Sequence, residues 1–332
     1  MARFPDPKSN LTFRVSSLGR PRSLPILLLT LCLWATTLQA EPWPSWRGSQ
    51  QSGVSAETGL VSSWTENGTG QLWKADFIGR STPVVFADRV CVVGRTGDGV
   101  TKQEVTACFA VDSGELLWEH RFNVFHTTIP FNRVGWASPA ADLETGNLYV
   151  HGVQGLLLCY DKSGTVLWEH SLTEEYGRIS GYGGRVHTPV VVDDLVVISY
   201  LNRSWGDHKV PRHRYVAFDK NSGDVVWIST PGGKPLDTTY STPVIADIAG
   251  ERLLIGGNAD GGIYALQAAT GEPVWSFSLS KRGLNTSVVV EGHRVYATHS
   301  EENVDNTVMG RVVCIDATGS GDVTATNELW RL

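Results

Sequence analysis

The chain has 332 residues, among them 35 glycines and 12 tryptophans, and 19% of its residues are charged. This length suffices for one large β domain or two ordinary domains, and the composition excludes a disordered or a mainly helical chain. The formal net charge is −6 and no basic run lies beyond the N-terminus, which excludes a nucleic-acid partner.

The N-terminus has the pattern of an export signal. Five basic residues precede the apolar run at 25–38, and residues 38–40 form an acceptable cleavage site before Glu41. The run is shorter than the roughly 20 residues that span a bilayer. The pattern predicts a signal peptide at 1–40 and a periplasmic or secreted protein, which meets the membrane only through the cleavable signal or peripherally. The alternative is an uncleaved anchor.

A repeat organises the chain from residue 71 onwards, after an N-terminal extension predicted at 41–70. Each repeat has a small-x-Asp or related step, a glycine turn and a tryptophan, and the tryptophans are Trp118, Trp168, Trp227, Trp275 and Trp330. They are spaced by 50, 59, 48 and 55 residues. Strand-like units with such a period predict an all-β propeller. Each indole is predicted to lie over the next blade and to fasten the two together.

Four strands per repeat, a to d, account for the pattern. Strand a opens with Ser/Thr-Pro-Val or a variant of it, and proline is tolerated there because its missing N–H lies outside the ladder. Strand b is short and rich in β-branched residues, strand c ends in the small-x-Asp step, and strand d carries the tryptophan. No long amphipathic helical stretch interrupts these signals.

Five predicted blades are complete, and an outer strand at 71–74 lacks its inner partners. Because closed rings avoid exposed edges, this favours a C-terminally incomplete ring of seven or eight blades. The alternative is a short six-unit ring that uses degenerate strands between Val54 and Trp64.

Four cysteines follow the predicted signal. Cys159 and Cys314 occupy a repeat position that favours a small buried side chain, so they are predicted to be free. Alanine holds this position in the other repeats (Ala110, Ala217 and Ala265). Cys91 and Cys108 can lie on neighbouring strands of one blade, and the sequence leaves open whether they are bridged.

Ligands of propellers usually meet the mouth of the central channel, where the segments before strand a and between strands b and c converge. Six residues before strand a are the candidate ligand-binding residues: Arg80, Trp136, Arg185, His187, Tyr240 and Asn285. Arginine and tryptophan near the axis suit a planar anion through stacking and bidentate hydrogen bonds. The alternative is solvated loop decoration. The insertion from Leu201 to Arg214 is the most distinctive candidate surface for a partner.

The step Ala-x-Asp-x-x-x-Gly-x-x-x-Trp resembles the tryptophan-docking repeat of pyrroloquinoline-quinone (PQQ)-type propellers, a likeness that covers residues 72–332. That family includes eight-bladed quinoprotein alcohol dehydrogenases and BamB-type outer-membrane assembly factors. The stretch Trp43-Pro44-Ser45-Trp46-Arg47-Gly48 is similar to the leader of secreted PQQ-like proteins abundant in planctomycetes.

For an enzyme, the resemblance implies PQQ held between a tryptophan and an adjacent-cysteine disulfide, Ca²⁺ held by Glu, Asn and Asp, and a catalytic Asp. The chain has no Cys-Cys pair; Asn258 with Asp260 and Glu301 with Asn303 are its oxygen-rich pairs. The residues assign no cofactor, metal site or catalytic residue with certainty, and PQQ and Ca²⁺ stay candidates. We expect an envelope scaffold that binds proteins or a small anionic ligand; the alternative is a PQQ-dependent or degenerate dehydrogenase acting on alcohols or sugars.

Overall fold

The computed structural model describes residues 40–66, 68–125, 129–179, 184–202 and 210–332. The part of the chain from Ala40 to Leu332 forms one unit whose regular structure is almost entirely β-strand. The predicted signal peptide, up to residue 39, and residues 203–209 of the predicted insertion lie outside the described residues. Within the described ranges, no helix is long and apolar enough to cross a membrane.

Five antiparallel four-stranded sheets follow one another along the described chain. The first contains β1 (Val84–Phe86), β2 (Arg89–Thr96), β3 (Gln103–Ala110) and β4 (Leu116–Asn123). The second contains β5 (Ala140–Ala141), β6 (Leu148–His151), β7 (Leu156–Tyr160) and β8 (Val166–Ser171).

The third sheet has a short extra strand, β9 (Arg178–Ile179), which pairs with Leu201 and Asn202 on the same edge of the second strand as the innermost strand. Its main strands are β10 (Val190–Val192), β11 (Leu195–Asn202), β12 (Arg212–Asp219) and β13 (Val225–Ser229). The fourth contains β14 (Val244–Ile248), β15 (Glu251–Gly257), β16 (Gly262–Gln267) and β17 (Pro273–Ser278).

The fifth sheet is built from β18 (Val289–Glu291), β19 (Arg294–Glu302), β20 (Met309–Asp316) and β22 (Glu328–Arg331). Between its last two strands, β21 (Gly321–Asp322) pairs in parallel with β17 of the fourth sheet. The described helices are one α-helical turn, α1 (Leu172–Tyr176), and two 3₁₀ turns (Gly99–Thr101 and Phe131–Arg133).

Consecutive sheets pack face to face, because successive residues of a strand point to opposite faces. In β11, Val196 belongs to the apolar cluster shared with the second sheet, and Val197 belongs to the cluster shared with the fourth. Equivalent clusters join the first sheet to the second and the fourth to the fifth. The predicted β-propeller of four-stranded blades is thereby confirmed, while the total number of blades in the ring stays a prediction.

Each blade has a register shift where its third and fourth strands pair, and the fifth blade has a second shift between β19 and β20. Directly beside the shift, a small residue faces the repeat tryptophan, as Cys159 faces Trp168 and Ala217 faces Trp227. In the first repeat the residue at this position is Cys108 rather than the predicted Ala110. The number of residues between the aspartate and the glycine of the turn differs among the repeats. An alignment of the repeats on the aspartate therefore places the small residue of the first repeat two positions too late.

The same register brings Cys108 directly opposite Cys91 across β2 and β3, and the two are joined by a disulfide. Cys159 and Cys314 are free and buried, as predicted. The disulfide lies within one blade because its two cysteines are on neighbouring strands of the same sheet.

Four tryptophans contact the blade that follows their own position in the chain. Their indole N–H groups donate to backbone carbonyls 2.7 to 3.3 Å away, and the pairs are Trp73 with Val111, Trp118 with Lys162, Trp168 with Lys220 and Trp227 with Ala268. Each ring also lies against the turn glycine of that blade, which leaves no room for a Cβ atom there.

Residues 71–78 run beside the first sheet. Trp73 makes the contacts just described, and the Phe77 ring packs edge-on against Phe109 at 6.0 Å. The carbonyl of Ile78 accepts from the N–H of Arg95 at 2.8 Å. Residues 71–74, the predicted outer strand, belong to none of the strands that the structure describes.

Candidate functional site

A cavity of about 770 Å³ lies where the segments before the innermost strands meet. All five sheets contribute to its lining, which places it on the axis of the propeller. Four of the six predicted ligand-binding residues line it: Arg80, Trp136, Tyr240 and Asn285. The cavity is therefore built from positions that precede β1, β5, β14 and β18.

Arg185 supports the aromatic part of this lining. Its guanidinium lies 4.9 Å from the ring centre of Tyr240 and 5.8 Å from that of Trp136. The two rings are 6.0 Å apart and nearly perpendicular, at 80°. Such cation–π contacts hold both rings in place and leave positive charge beside the cavity.

His187 is not brought into the cavity. It is buried, its Nδ1–H donates to the carbonyl of Thr188 at 2.7 Å, and its Nε2 accepts from the N–H of Ser199. Burial lowers the pKa of His187 to about 4, so the imidazole is neutral at physiological pH. Its role is to tie the segment before β10 to β11.

A relay of hydroxyl groups encircles the cavity. The N–H groups of Thr82, Ser138, Thr188 and Thr242 each donate to the hydroxyl of the equivalent residue in the next blade, namely Ser138, Thr188, Thr242 and Ser287, at 2.8 to 3.3 Å. All five residues line the cavity. Because these hydroxyl oxygens serve as acceptors within the relay, their O–H groups can donate to a bound molecule.

The lining is rich in donors and contains no carboxylate among the described residues. Two arginines, five residues of the relay and the amide of Asn285 supply N–H and O–H groups. The Asn285 Oδ1 is buried without a partner among the described atoms. An orphaned acceptor of this kind favours a ligand that also carries a hydroxyl or N–H group.

Glu104 anchors the segment that carries Trp136. It is 1% exposed; its Oε1 accepts from the N–H of Gly135, and its Oε2 accepts from the N–H of Val153, both at 3.0 Å. Burial raises the pKa of Glu104 to about 7, against the opposing effects of these two donors and of the Arg178 guanidinium. Gly135 adopts a φ of +72°, and a Cβ atom there would lie 2.7 Å from the carbonyl oxygen of Gly94.

Trp46 and Arg47 line the cavity as well, and the sequence did not mark them as site residues. The Arg47 guanidinium stacks on the Trp46 ring at 4.3 Å, and its Nη1 donates to the carbonyl of Val288 at 2.9 Å. The Trp-Arg-Gly leader motif was visible in the sequence, but its contacts with blades more than two hundred residues away were not.

The described end regions of the predicted insertion belong to the third sheet. Leu201 pairs with His213 and Asn202 pairs with Arg212 in the β11–β12 ladder. His213 is buried, donates from Nε2 to the hydroxyl of Ser199 and accepts at Nδ1 from the N–H of Ala259. These residues extend the sheet, and the part of the insertion at 203–209 lies outside the described residues.

The residues present do not fit the PQQ and Ca²⁺ site that the resemblance implies. The disulfide joins cysteines 17 positions apart and lies within the first sheet rather than in the cavity lining. Both carboxylate oxygens of Asp260 already accept hydrogen bonds from its own blade, including one from the Tyr264 hydroxyl at 2.8 Å. Among the described residues, no three His, Cys, Asp or Glu side chains cluster as metal ligands would.

Similar solved structures include BamB from Moraxella catarrhalis, at 15% identity, a TM-score of 0.45, and coverage of 76% of this chain and 75% of that one. The quinohemoprotein alcohol dehydrogenase of Comamonas testosteroni matches at 15% identity and a TM-score of 0.57, over 84% of this chain and 48% of that one. The quinohemoprotein alcohol dehydrogenase ADHIIG of Pseudomonas putida HK5 matches at 17% identity and a TM-score of 0.43, over 74% and 40%.

This chain thus spans less than half of either alcohol dehydrogenase, and at such identities the likeness concerns the fold. No curated protein sequence matches the chain. A family model described as outer membrane protein assembly factor BamB matches residues 101–331, well over half of the chain. With its successive four-stranded PQQ-like blades, the chain belongs to this BamB family.

Proposed function

We propose that this protein is an exported β-propeller that binds a small planar anion in its axial cavity and acts as a binding scaffold in the cell envelope. The observation that carries the proposal is a lining drawn from all five sheets, rich in donors and aromatic rings, with no carboxylate among its described residues. A cavity of about 770 Å³ is also within the usual size of small-molecule sites.

The arrangement suits a flat molecule with negative charge at its rim. The rings of Trp136 and Tyr240 offer apolar faces, and the Arg80 guanidinium offers a bidentate partner for a carboxylate. The hydroxyl relay supplies further donors around the axis. We therefore expect binding to depend on the ligand's charge and its planarity together.

Isothermal titration calorimetry with naphthalene-2,6-dicarboxylate and its neutral diamide tests this proposal. We expect the dicarboxylate to bind at least tenfold more tightly than the diamide, because only the dianion pairs with the arginines. Arg80→Gln is expected to weaken dicarboxylate binding about tenfold, which is about 1.4 kcal/mol. Arg294→Gln, an exposed arginine outside the cavity lining, is the matched control. Equal affinity for dianion and diamide would refute an anion site.

A PQQ-dependent or degenerate dehydrogenase is the alternative. A lining without a carboxylate among its described residues argues against it, because it offers neither a carboxylate ligand for Ca²⁺ nor a catalytic base. Purified protein mixed with PQQ and Ca²⁺ should then show no dye reduction with alcohols or sugars, whether or not the quinone, a planar anion, binds in the cavity. Dye reduction that requires both additions would overturn our preference.

Protein partners are a second candidate, supported by a separate observation. The fifth sheet exposes the apolar side chains of Met309 on β20 and of Leu329 and Trp330 on β22, and exposed apolar surface can mark an interaction site. Met309→Lys should abolish a specific, stoichiometric complex with an envelope protein, while Val100→Lys, at an even more exposed apolar position on the first blade, should not.

The sequence pattern at 1–40 supports the envelope assignment, and export and maturation can be tested directly. Cell fractionation should place the protein outside the cytoplasm, and sequencing of the mature N-terminus should begin at Glu41. A mature chain that retains residues 1–40 would favour the uncleaved anchor instead.

A further inference from the structure

The leader segment, which we define as residues 43–51, contacts the inner edges of several blades. Trp43 pairs with Val85 of β1 through two backbone hydrogen bonds, of 2.7 and 2.9 Å. The carbonyl of Pro44 accepts from the N–H of Ala141 in β5 at 2.8 Å. These contacts join the leader to the first and second sheets.

The remaining leader contacts reach the opposite side of the channel. Arg47 donates to the carbonyl of Val288, immediately before β18, and the Gln51 Oε1 accepts from the N–H of Ile245 in β14 at 2.9 Å. The leader is therefore bound to four of the five described sheets. Gly48 makes the turn between these contacts at a φ of +80°, with the Trp43 ring packed against it.

These bonds satisfy groups that would otherwise lack partners. The innermost strand of a propeller blade has one edge without a neighbouring strand, so its N–H and C=O groups face the channel. Val85, Ala141 and Ile245 lie on such strands, and the leader accepts a hydrogen bond from each. The segment thus acts as an added strand for one blade and as a set of single contacts for the others.

Two cavities border the leader. Trp46 and Arg47 line the cavity of about 770 Å³ on the side of the segments that precede the innermost strands. Residues 49–52 line a second cavity of about 530 Å³, on the side of the turns after β10 and β14. Because neighbouring residues of one segment line the two cavities, the segment lies between them.

We propose that the leader is a built-in plug of the axial channel, and that Arg47, as part of this plug, is a specificity-determining cation for the ligand of the larger cavity. The second part rests on the proposed function, whereas the first does not. Stacking on Trp46 and the bond to Val288 hold the Arg47 guanidinium at the cavity wall. With Arg80 it provides a second anchor for a dianion.

Hydrogen exchange tests the plug without any ligand. Deleting residues 41–53 should speed the exchange of the Val85, Ala141 and Ile245 amides at least a hundredfold, since each loses its acceptor. If the deletion variant fails to fold, Gln51→Ala gives the same test at Ile245 alone, with Ser52→Ala as the control. Unchanged exchange at Ile245 in Gln51→Ala, with a folded protein, would overturn the plug.

Calorimetry with naphthalene-2,6-dicarboxylate and its neutral diamide tests the role of Arg47. Arg47→Met should weaken dicarboxylate binding about tenfold and leave the affinity for the diamide within twofold, while Arg294→Met should change neither. Equal dicarboxylate affinity in wild type and Arg47→Met overturns the specificity role and leaves the proposed function standing. If the wild type binds neither compound, both the proposed function and the role of Arg47 are refuted. The hydrogen-exchange data then decide by themselves whether the leader is a plug.

Discussion

Replacing Glu104 with glutamine should change how the stability of the propeller depends on pH. Burial raises the pKa of Glu104 from its ordinary 4.5 to about 7, so the folded protein holds this proton more tightly than the unfolded chain does. Stability is therefore highest when the group is protonated. It declines as pH rises from about 4.5 to about 7, and the decline amounts to about 3 kcal/mol in total.

Glutamine is neutral like the protonated carboxyl, but its amide offers only one acceptor oxygen to the two N–H groups of Gly135 and Val153, so one of these bonds is lost. We expect Glu104→Gln to be less stable than the wild type at pH 5 by about 1 to 3 kcal/mol. Between pH 5 and pH 8 this difference should shift by about 2 to 3 kcal/mol in favour of the variant, since only the wild type gains a buried charge. The Arg178 guanidinium, which faces Glu104, reduces this shift but does not cancel it.

Urea unfolding followed by tryptophan fluorescence between pH 5 and pH 8 measures the effect. The informative quantity is the difference between variant and wild type. Buried His187, with its pKa lowered to about 4, removes stability as pH falls below about 6.5, and this contribution cancels in the difference. Glu272→Gln, at an exposed turn, is the control and should follow the wild type. A difference between variant and wild type that stays the same from pH 5 to pH 8 would refute the raised pKa of Glu104.

Three further predictions concern the joints between strands and between blades. In urea unfolding, Trp227→Phe should lower the free energy of unfolding by about 1 to 2 kcal/mol more than Trp275→Phe does. The reason is that Trp227 donates to the carbonyl of Ala268, whereas the Trp275 indole N–H has no partner among the described residues. Equal losses would contradict this. Gly271→Ala should lower the melting temperature far more than Gly292→Ala, since both have positive φ but only the Cβ at 271 would meet a ring atom, 2.4 Å away in Trp227. The double variant Cys91→Ala/Cys108→Ala should lose about 3 kcal/mol of unfolding free energy, because the loop closed by cysteines 17 residues apart is released. The stability of this variant should not depend on reductant. A wild type that reductant does not destabilise would argue against the bridge.

Much of the fold could be predicted because local signals repeat at corresponding places. Strands β1, β5, β10 and β14 each begin at the residue after the proline of the predicted opening motif. The shift of the small residue from Ala110 to Cys108 shows the limit of such alignment, since turn length varies freely at the surface. Bridging of Cys91 and Cys108 likewise depended on an inter-strand register that composition does not reveal.

The cavity was only partly predictable, for a physical reason. Arg80, Trp136, Tyr240 and Asn285 could be found because they precede innermost strands, and these positions converge on the axis in any propeller. Glu104 lies in the strand sequence Gln-Glu-Val-Thr-Ala, and such a sequence predicts that the carboxylate faces solvent. Only the closure of the next blade over it makes it buried. The contacts of Arg47 are equally remote in sequence, 241 positions from Val288.

The hydroxyl relay has an electrostatic consequence that does not depend on any formal charge. Each hydroxyl oxygen of Ser138, Thr188, Thr242 and Ser287 accepts a hydrogen bond from a backbone N–H of the preceding blade, so its own O–H dipole is free to turn towards the axis. Oriented together, these dipoles produce a positive potential at the centre of the propeller. An anion would therefore be attracted to the axis even in a variant whose arginines had been neutralised, with a weaker dependence on ionic strength than a site built from charged side chains alone.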